Sequence, residues 1–275
     1  MNASGDRAIG MFDSGFGGLT VARAVIDLMP DEKLIYIGDT ARYPYGPKPA
    51  KDVRGYAIEL ATSLVHDFDV KVIVVACNTA ASVALKELQR SLAVPVIGVV
   101  APGAKALLGQ TRNRRVGVIG TTGTIDSGAY DAAIKSAASE TGESIDLVTM
   151  ACPGFVEFVE RDETSGPAVT ELAQRLLTPM REAEVDALLL GCTHYPYLRD
   201  VIGQVMGSGV RLVDGAVATA IAVRQMLSDR KLLRVASRDE AATRDFYSSG
   251  DAAHFAALGR RFLGPELTTA KAWPI

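Results

Sequence analysis

Short aliphatic runs that end abruptly at a glycine, a cysteine or a small polar residue recur along this chain, separated by longer stretches of helical period. Ala8–Phe12, Leu34–Ile37, Val70–Ala76, Val94–Val99 and Arg115–Ile119 read as strands. Their nearly continuous apolar character belongs to strands covered on both faces, as in a parallel sheet. Leu19–Leu28, Lys48–Asp67 and Ala80–Gln89 read as helices, the second with Ile58, Leu60, Ala61, Leu64 and Val65 on its apolar face. Ala216–Leu227 reads as a further helix, followed by a more irregular region. Strand–helix alternation with short connections predicts an α/β fold with a mostly parallel sheet flanked by helices. At 275 residues the chain exceeds the usual size of a single core, so one large or two modest α/β domains are expected.

Two of the runs are variants of one another. Val74-Val75-Ala76-Cys77-Asn78-Thr79 and Leu189-Leu190-Gly191-Cys192-Thr193-His194 each pass from an apolar run into a cysteine followed by small polar residues. Open parallel sheets bind ligands outside the carboxyl ends of their strands, where both thiols are expected. A second echo joins Ile9-Gly10-Met11-Phe12-Asp13-Ser14-Gly15 to Val116-Gly117-Val118-Ile119-Gly120-Thr121-Thr122-Gly123, a strand with an early glycine and then a hydroxyl-rich turn. The order in which these segments occur suggests two units, each with a first turn of small polar groups and a later turn carrying a thiol. Either cysteine alone would more simply be a small core residue. Cys152, before Pro153 and Gly154, keeps that reading.

Composition removes several classes. A net charge of −3 leaves no basic footprint for nucleic acid, and the dense Arg112–Arg115 cluster reads as a solvated loop. Three cysteines in a chain this long argue against a disulfide framework and for a reducing, cytoplasmic setting. Met1–Ala8 is polar and lacks an apolar signal core, and no run of roughly 18 apolar residues suggests a membrane span.

A thiol at a strand end with a helix beginning behind it is expected to be acidic, because free N–H groups and the helix dipole favour the thiolate. It would serve as nucleophile, metal ligand or proton-transfer base. No C-x-x-C or similar cluster supports a metal, and His194 lies too close to Cys192 in sequence for easy shared chelation. Asn78, Thr79, Thr193 and neighbouring N–H groups suit a carboxylate. Asp13 and Ser14 suit an ammonium group or a thiol, although Asp13-Ser14-Gly15 also reads as a helix N-cap. Gly15-Phe16-Gly17-Gly18 fits neither the dinucleotide nor the Walker fingerprint. Tyr43-Pro44-Tyr45-Gly46-Pro47-Lys48 is a stiff turn suited to a binding loop.

Five segments in order then bring a family into view. Phe12–Thr20, Gly38–Gly46, Ala76–Ala80, Gly120–Thr124 and Gly191–Pro196 resemble the motifs of the glutamate racemases, the cofactor-independent branch of the aspartate/glutamate racemase superfamily. The resemblance runs from Phe12 to Asp214 and fades beyond. It implies two similar α/β domains, residues 1–98 with 214–275 and residues 99–213, with the active site in the cleft between them. It implies racemisation of glutamate by two cysteine bases with no cofactor and no metal, Cys77 serving the D- and Cys192 the L-enantiomer. Asp13 would assist Cys77, with His194 and Glu160 near Cys192; Glu157 lies close to Glu160 in register. Asp13, Ser14, Tyr45, Gly46, Asn78, Thr79, Thr121, Thr193 and His194 are the implied substrate-binding positions. Further implications are D-glutamate for peptidoglycan and a homodimer; the charge and hydropathy read above lead to the expectation of neither membrane nor direct nucleic-acid binding. A racemase of a related acid such as aspartate would keep both cysteines and change only the side-chain pocket.

Overall fold

The computed structural model describes residues 5–235 and 241–274. Met1–Ser4, the start of the polar N-terminal segment, lie outside them. The chain divides into two compact units, 1–99 with 216–275 and 100–215.

In the first unit the four early runs become β1 (Ile9–Asp13), β2 (Leu34–Gly38), β3 (Val72–Val75) and β4 (Val96–Gly98). Each is followed by helix: α1 (Leu19–Leu28), α2 (Ala50–His66), α3 (Asn78–Ser91) and α4 (Val100–Leu108), the last lying in the second unit. β1 pairs in parallel with β2 on one side and β3 on the other, and β3 pairs with β4. Every residue of β1 and β3 is buried: the apolar run Ile9–Phe12 and the aliphatic run Val72–Val75 are covered on both faces, and Asp13 is buried where β1 ends. Each such Val or Ile contributes about 1.5–3 kcal/mol of burial.

The second unit repeats the plan. β5 (Arg115–Gly120), β6 (Asp146–Ala151), β7 (Ala187–Gly191) and β8 (Arg211–Val213) form a parallel sheet in the order β6-β5-β7-β8. The first unit's core has the equivalent order β2-β1-β3-β4. In both, the first strand is central, the second lies on one side and the third on the other. Strand order therefore reverses between β1 and β3, and again between β5 and β7. These are the switch points at which parallel sheets open a crevice for ligands.

Two expectations are corrected here. The region after Ala216–Leu227 is not irregular throughout. Beyond α10 (Gly215–Asp229) come β9 (Arg244–Ser248), α11 (Ala252–Leu263) and the two-residue β10 (Lys271–Ala272). β9 pairs with β2 and β10 with β9, widening the first sheet to β10-β9-β2-β1-β3-β4. Asp251 starts α11 by accepting from the N–H groups of Ala253 and His254, and Phe255 then stacks 5.3 Å from Phe16. The second correction concerns α2. Val53, Ala57, Leu60, Ala61 and Leu64 form its buried stripe, while Ile58 and Val65 are only half-buried. Steps of four, three, one and three keep one face of a 3.6-residue period, and positions 58 and 65 fall at its margin. Among the described residues no helix is long and apolar enough to cross a membrane.

Candidate active site

At the first switch point, β1 ends on Asp13 and β3 ends two residues before Cys77, so a carboxyl and a thiol emerge side by side. Cys77 is the N-cap of α3: its sulfur accepts from the Ala80 N–H at 3.5 Å, and its S–H points at Ser14 Oγ, 3.7 Å away. Asn78 and Thr79 open the helix and are buried with it. Asp13 is fully buried; one carboxyl oxygen accepts from the Gly15 N–H at 3.0 Å, and the other has no hydrogen-bond partner among the described residues. Gly18 allows this crowding, since a Cβ there would fall 2.6 Å from the Asp13 Cβ and 2.9 Å from that of Ala76.

The structure overturns two expectations at this turn. Gly18, not Asp13 or Ser14, caps α1, and it does so without a side-chain bond. The Cys77 thiol is not acidic: burial, and then the negative charge of Asp13, push it up to about 12. The helix N-terminus acts in the expected direction through Ala80 and is outweighed. Burial also raises Asp13 against the hydrogen bonds that oppose it. Carboxyl and thiol share one buried recess, so ionisation of either disfavours ionisation of the other.

At the second switch point, Gly120 of β5 pairs with Gly191 of β7, so the residues that follow, Thr121 and Cys192, leave the sheet as neighbours. Thr121 caps α5 (Thr122–Asp126) by accepting from the Thr124 N–H. Cys192 is not followed by an α-helix, contrary to expectation. Thr193 and His194 form a tight turn, closed by Tyr195 N–H to the Cys192 carbonyl at 3.1 Å, and a single 3-10 turn follows at Tyr195–Leu198. Pro196 within the segment removes an N–H that a helix beginning earlier would use.

This turn folds His194 back beside the thiol, its Nδ1 4.0 Å from Cys192 Sγ. On the other side of the ring, Nε2 lies 3.9 Å from Glu160 Oε1, at the end of α7 (Phe155–Glu160). Glu157 is exposed. Sulfur, imidazole and carboxyl group thus follow one another in a row, with the carboxyl oxygen just beyond hydrogen-bond reach of the ring. Burial pushes His194 down to about 4, so the ring is a neutral base at physiological pH. Tyr130, a residue the sequence reading missed, packs behind Gly191, where a Cβ would lie 3.0 Å from its ring and 2.7 Å from the Ile119 carbonyl oxygen. Cys152 is buried beneath Tyr195, whose hydroxyl donates to the Cys152 carbonyl at 3.0 Å, as suits a core cysteine. Among the described residues no group of three or more His, Cys, Asp or Glu is arranged to hold a metal ion.

A pH prediction follows from His194. In the unfolded chain its pKa is near 6.5, and in the fold it is about 4. Between these values the unfolded state binds a proton that the folded state refuses. Stability therefore falls as pH drops from about 6.5 to about 4, by up to about 3 kcal/mol, with no contribution above that window. Urea unfolding across this range is expected to show the loss, and His194→Gln to flatten it.

The remaining implied positions lie on the first unit. Tyr45 and Gly46 follow β2, Tyr45 buried and Gly46 half-buried, and burial, then the hydrogen-bonded Asp39 carboxylate, holds the Tyr45 hydroxyl protonated.

Twin parallel α/β sheets each present a cysteine beside polar and titratable side chains at the switch point. The chain belongs to the Asp/Glu/Hydantoin racemase family, whose model matches residues 19–223, and is accordingly an isomerase of the racemase class. It is similar to a glutamate racemase of Parafrankia sp., 48% identical over 97% of this chain and 94% of that one. Among solved structures it resembles the glutamate racemase isoform RacE1 of Bacillus anthracis (TM-score 0.88, 35% identity, 98% and 97% of the two chains). It also resembles a Francisella tularensis glutamate racemase in complex with D-glutamate (TM-score 0.87, 33% identity, 98% of each chain).

Proposed function

We propose that this racemase interconverts L- and D-glutamate by proton transfer between two thiols, without a cofactor. The observation that carries the reading is the repeated switch point, with one thiol on each of two similar sheets, in a chain nearly half identical to named glutamate racemases. Inverting a carbon requires a proton to leave one face and another to arrive at the opposite face. One thiolate and one thiol, exchanging roles with direction, meet that demand. Cys77 acts on the D- and Cys192 on the L-enantiomer. Asp13 assists proton transfer at Cys77, and His194, with Glu160 beyond it, assists at Cys192.

The Cα proton beside a carboxylate is weakly acidic, so charge developing in the transition state needs preorganised donors. Asn78, Thr79, Thr121 and Thr193 offer hydroxyl, amide and turn N–H groups for the substrate carboxylates, with Tyr45-Gly46 lining the same half-site as Cys77. Asp13 and Ser14 receive the ammonium group. That positive charge also offsets the burial penalty on the thiolate, which links substrate binding to base formation. The product serves peptidoglycan synthesis in the cytoplasm, and the enzyme acts as a homodimer.

The test is L-glutamate in D₂O with no cofactor added. D-glutamate is expected to appear with deuterium at Cα in nearly every molecule from the first turnover, while unreacted L-glutamate keeps its proton. Return of the original proton in a large share of product would replace two bases with one, and no exchange would overturn the reading. Faster turnover of L-aspartate in the same assay would reassign the substrate.

A further inference from the structure

Asp39 belongs to one of the motifs that resemble the family, yet none of the roles above uses it. It follows β2 directly, is fully buried, and its N–H donates to the Asp13 carbonyl at 3.0 Å. Three groups converge on its carboxylate: Arg42 Nε at 2.7 Å and the Tyr45 hydroxyl on one oxygen, and the Ser249 hydroxyl at 2.6 Å on the other.

Ser249 comes from the turn after β9, beyond the family-matched residues 19–223. That turn grips the 39–46 loop repeatedly. Ser249 N–H donates to the Gly38 carbonyl at 3.1 Å, and its hydroxyl accepts from the Ala41 N–H at 3.0 Å. The Ser248 and Thr40 hydroxyls share a 2.6 Å bond, and Gly250 N–H donates to Thr40 Oγ1 at 3.0 Å. From the other side Arg42 lies 4.4 Å over the Tyr56 ring and pairs with Glu59 at 2.6 Å.

We propose that Asp39 and Ser249 form a clasp that positions the Tyr45-Gly46 loop against the Cys77 half-site, deepening the racemase reading on which it rests. Tyr45 donates its hydroxyl proton inward to Asp39, so the hydroxyl is a fastening and not a substrate ligand. What the loop presents to a substrate is its backbone and the edge of the ring. Asp39 is a positioning residue: it acts through Tyr45 and leaves the proton-transfer groups intact. The turn after β9, outside the matched family region, thereby becomes part of the site.

The experiment compares Asp39→Asn, Ser249→Ala, Ser249→Thr, Tyr45→Phe and the Asp39→Asn/Tyr45→Phe double variant. Positioning predicts a KM for glutamate raised about tenfold in Asp39→Asn and about threefold in Ser249→Ala, with kcat changed less than about threefold. Ser249→Thr keeps the hydroxyl and is expected to restore KM. The double variant is expected to lose less than the sum of the two single losses, because both changes weaken the same Tyr45–Asp39 bond. Additive losses would make the Tyr45 hydroxyl a direct ligand, and a collapse of kcat at constant KM would make Asp39 part of the chemistry; either overturns the clasp. Amide hydrogen exchange supplies a readout independent of turnover. Exchange across residues 39–48 is expected to speed up about tenfold or more in Asp39→Asn and Ser249→Ala but not in Ser249→Thr. Unchanged exchange overturns the clasp, whereas a wild-type protein inactive on glutamate overturns the racemase reading alone.

Discussion

Replacing either Cys77 or Cys192 by serine is expected to lower kcat by about three orders of magnitude or more in both directions. A serine hydroxyl matches the thiol in shape but is far too weak an acid to supply the base. The loss is expected in both directions because each turnover needs one thiolate and one thiol. Buried cysteine to serine is a small change in volume, so both variants are expected to fold, and circular dichroism separates lost chemistry from lost structure. The equilibrium constant between enantiomers is one. The ratio of kcat/KM in the two directions must therefore stay at one in every variant, whatever its activity. Assignment of a thiol to one enantiomer shows only in kcat and KM taken singly, and in which substrate exchanges its Cα proton first. Asp13→Asn and His194→Gln are expected to split these parameters in opposite senses, since each assists a different thiol. A serine variant with robust turnover would remove the two-base mechanism.

Features governed by local pattern were legible in the sequence. The aliphatic runs of β1 and β3 admit little besides fully buried strands, and the end of each run marks where a ligand-facing turn begins. β9 escaped because Arg-Asp-Phe-Tyr-Ser buries only Phe246 and Ser248, and so carries no apolar run to recognise. Thiol acidity escaped for a different reason. The helix N-terminus behind Cys77 is a local feature, but burial and the facing Asp13 arise from a strand more than sixty positions away. At Cys192 the small polar residues suggested a helix start, whereas Pro196 and the Cys192–Tyr195 bond make a tight turn. That turn, and not a helix dipole, brings His194 to the sulfur. Asp39 stood in plain view, but its role depends on Ser249, which no spacing rule connects to it.

At the amino ends of the first sheet's strands, opposite Cys77, lies a buried ion pair. Lys71, just before β3, is fully buried; its ammonium donates to the Glu32 carboxylate and, at 2.7 Å, to the Gly5 carbonyl. Burial pushes Lys71 below its ordinary pKa, with Glu32 pulling the other way. Glu32 also accepts from the Arg234 N–H at 2.8 Å, and Arg234 pairs with Asp6. Desolvating two ions offsets much of their attraction, so the pair adds little over an apolar replacement, but removing one partner leaves the other charge stranded. Lys71→Met is therefore expected to cost about 3–5 kcal/mol in urea unfolding. Lys71→Met/Glu32→Gln removes both charges while the glutamine oxygen still accepts from Arg234, so it is expected to recover most of that loss. Because the cluster lies at the far end of the strands from Cys77 and Asp13, kcat of the folded Lys71→Met protein is expected to stay within about twofold of wild type. A double variant as unstable as Lys71→Met would show that the lysine stabilises through its bond to Gly5 and its packing, and not by neutralising Glu32.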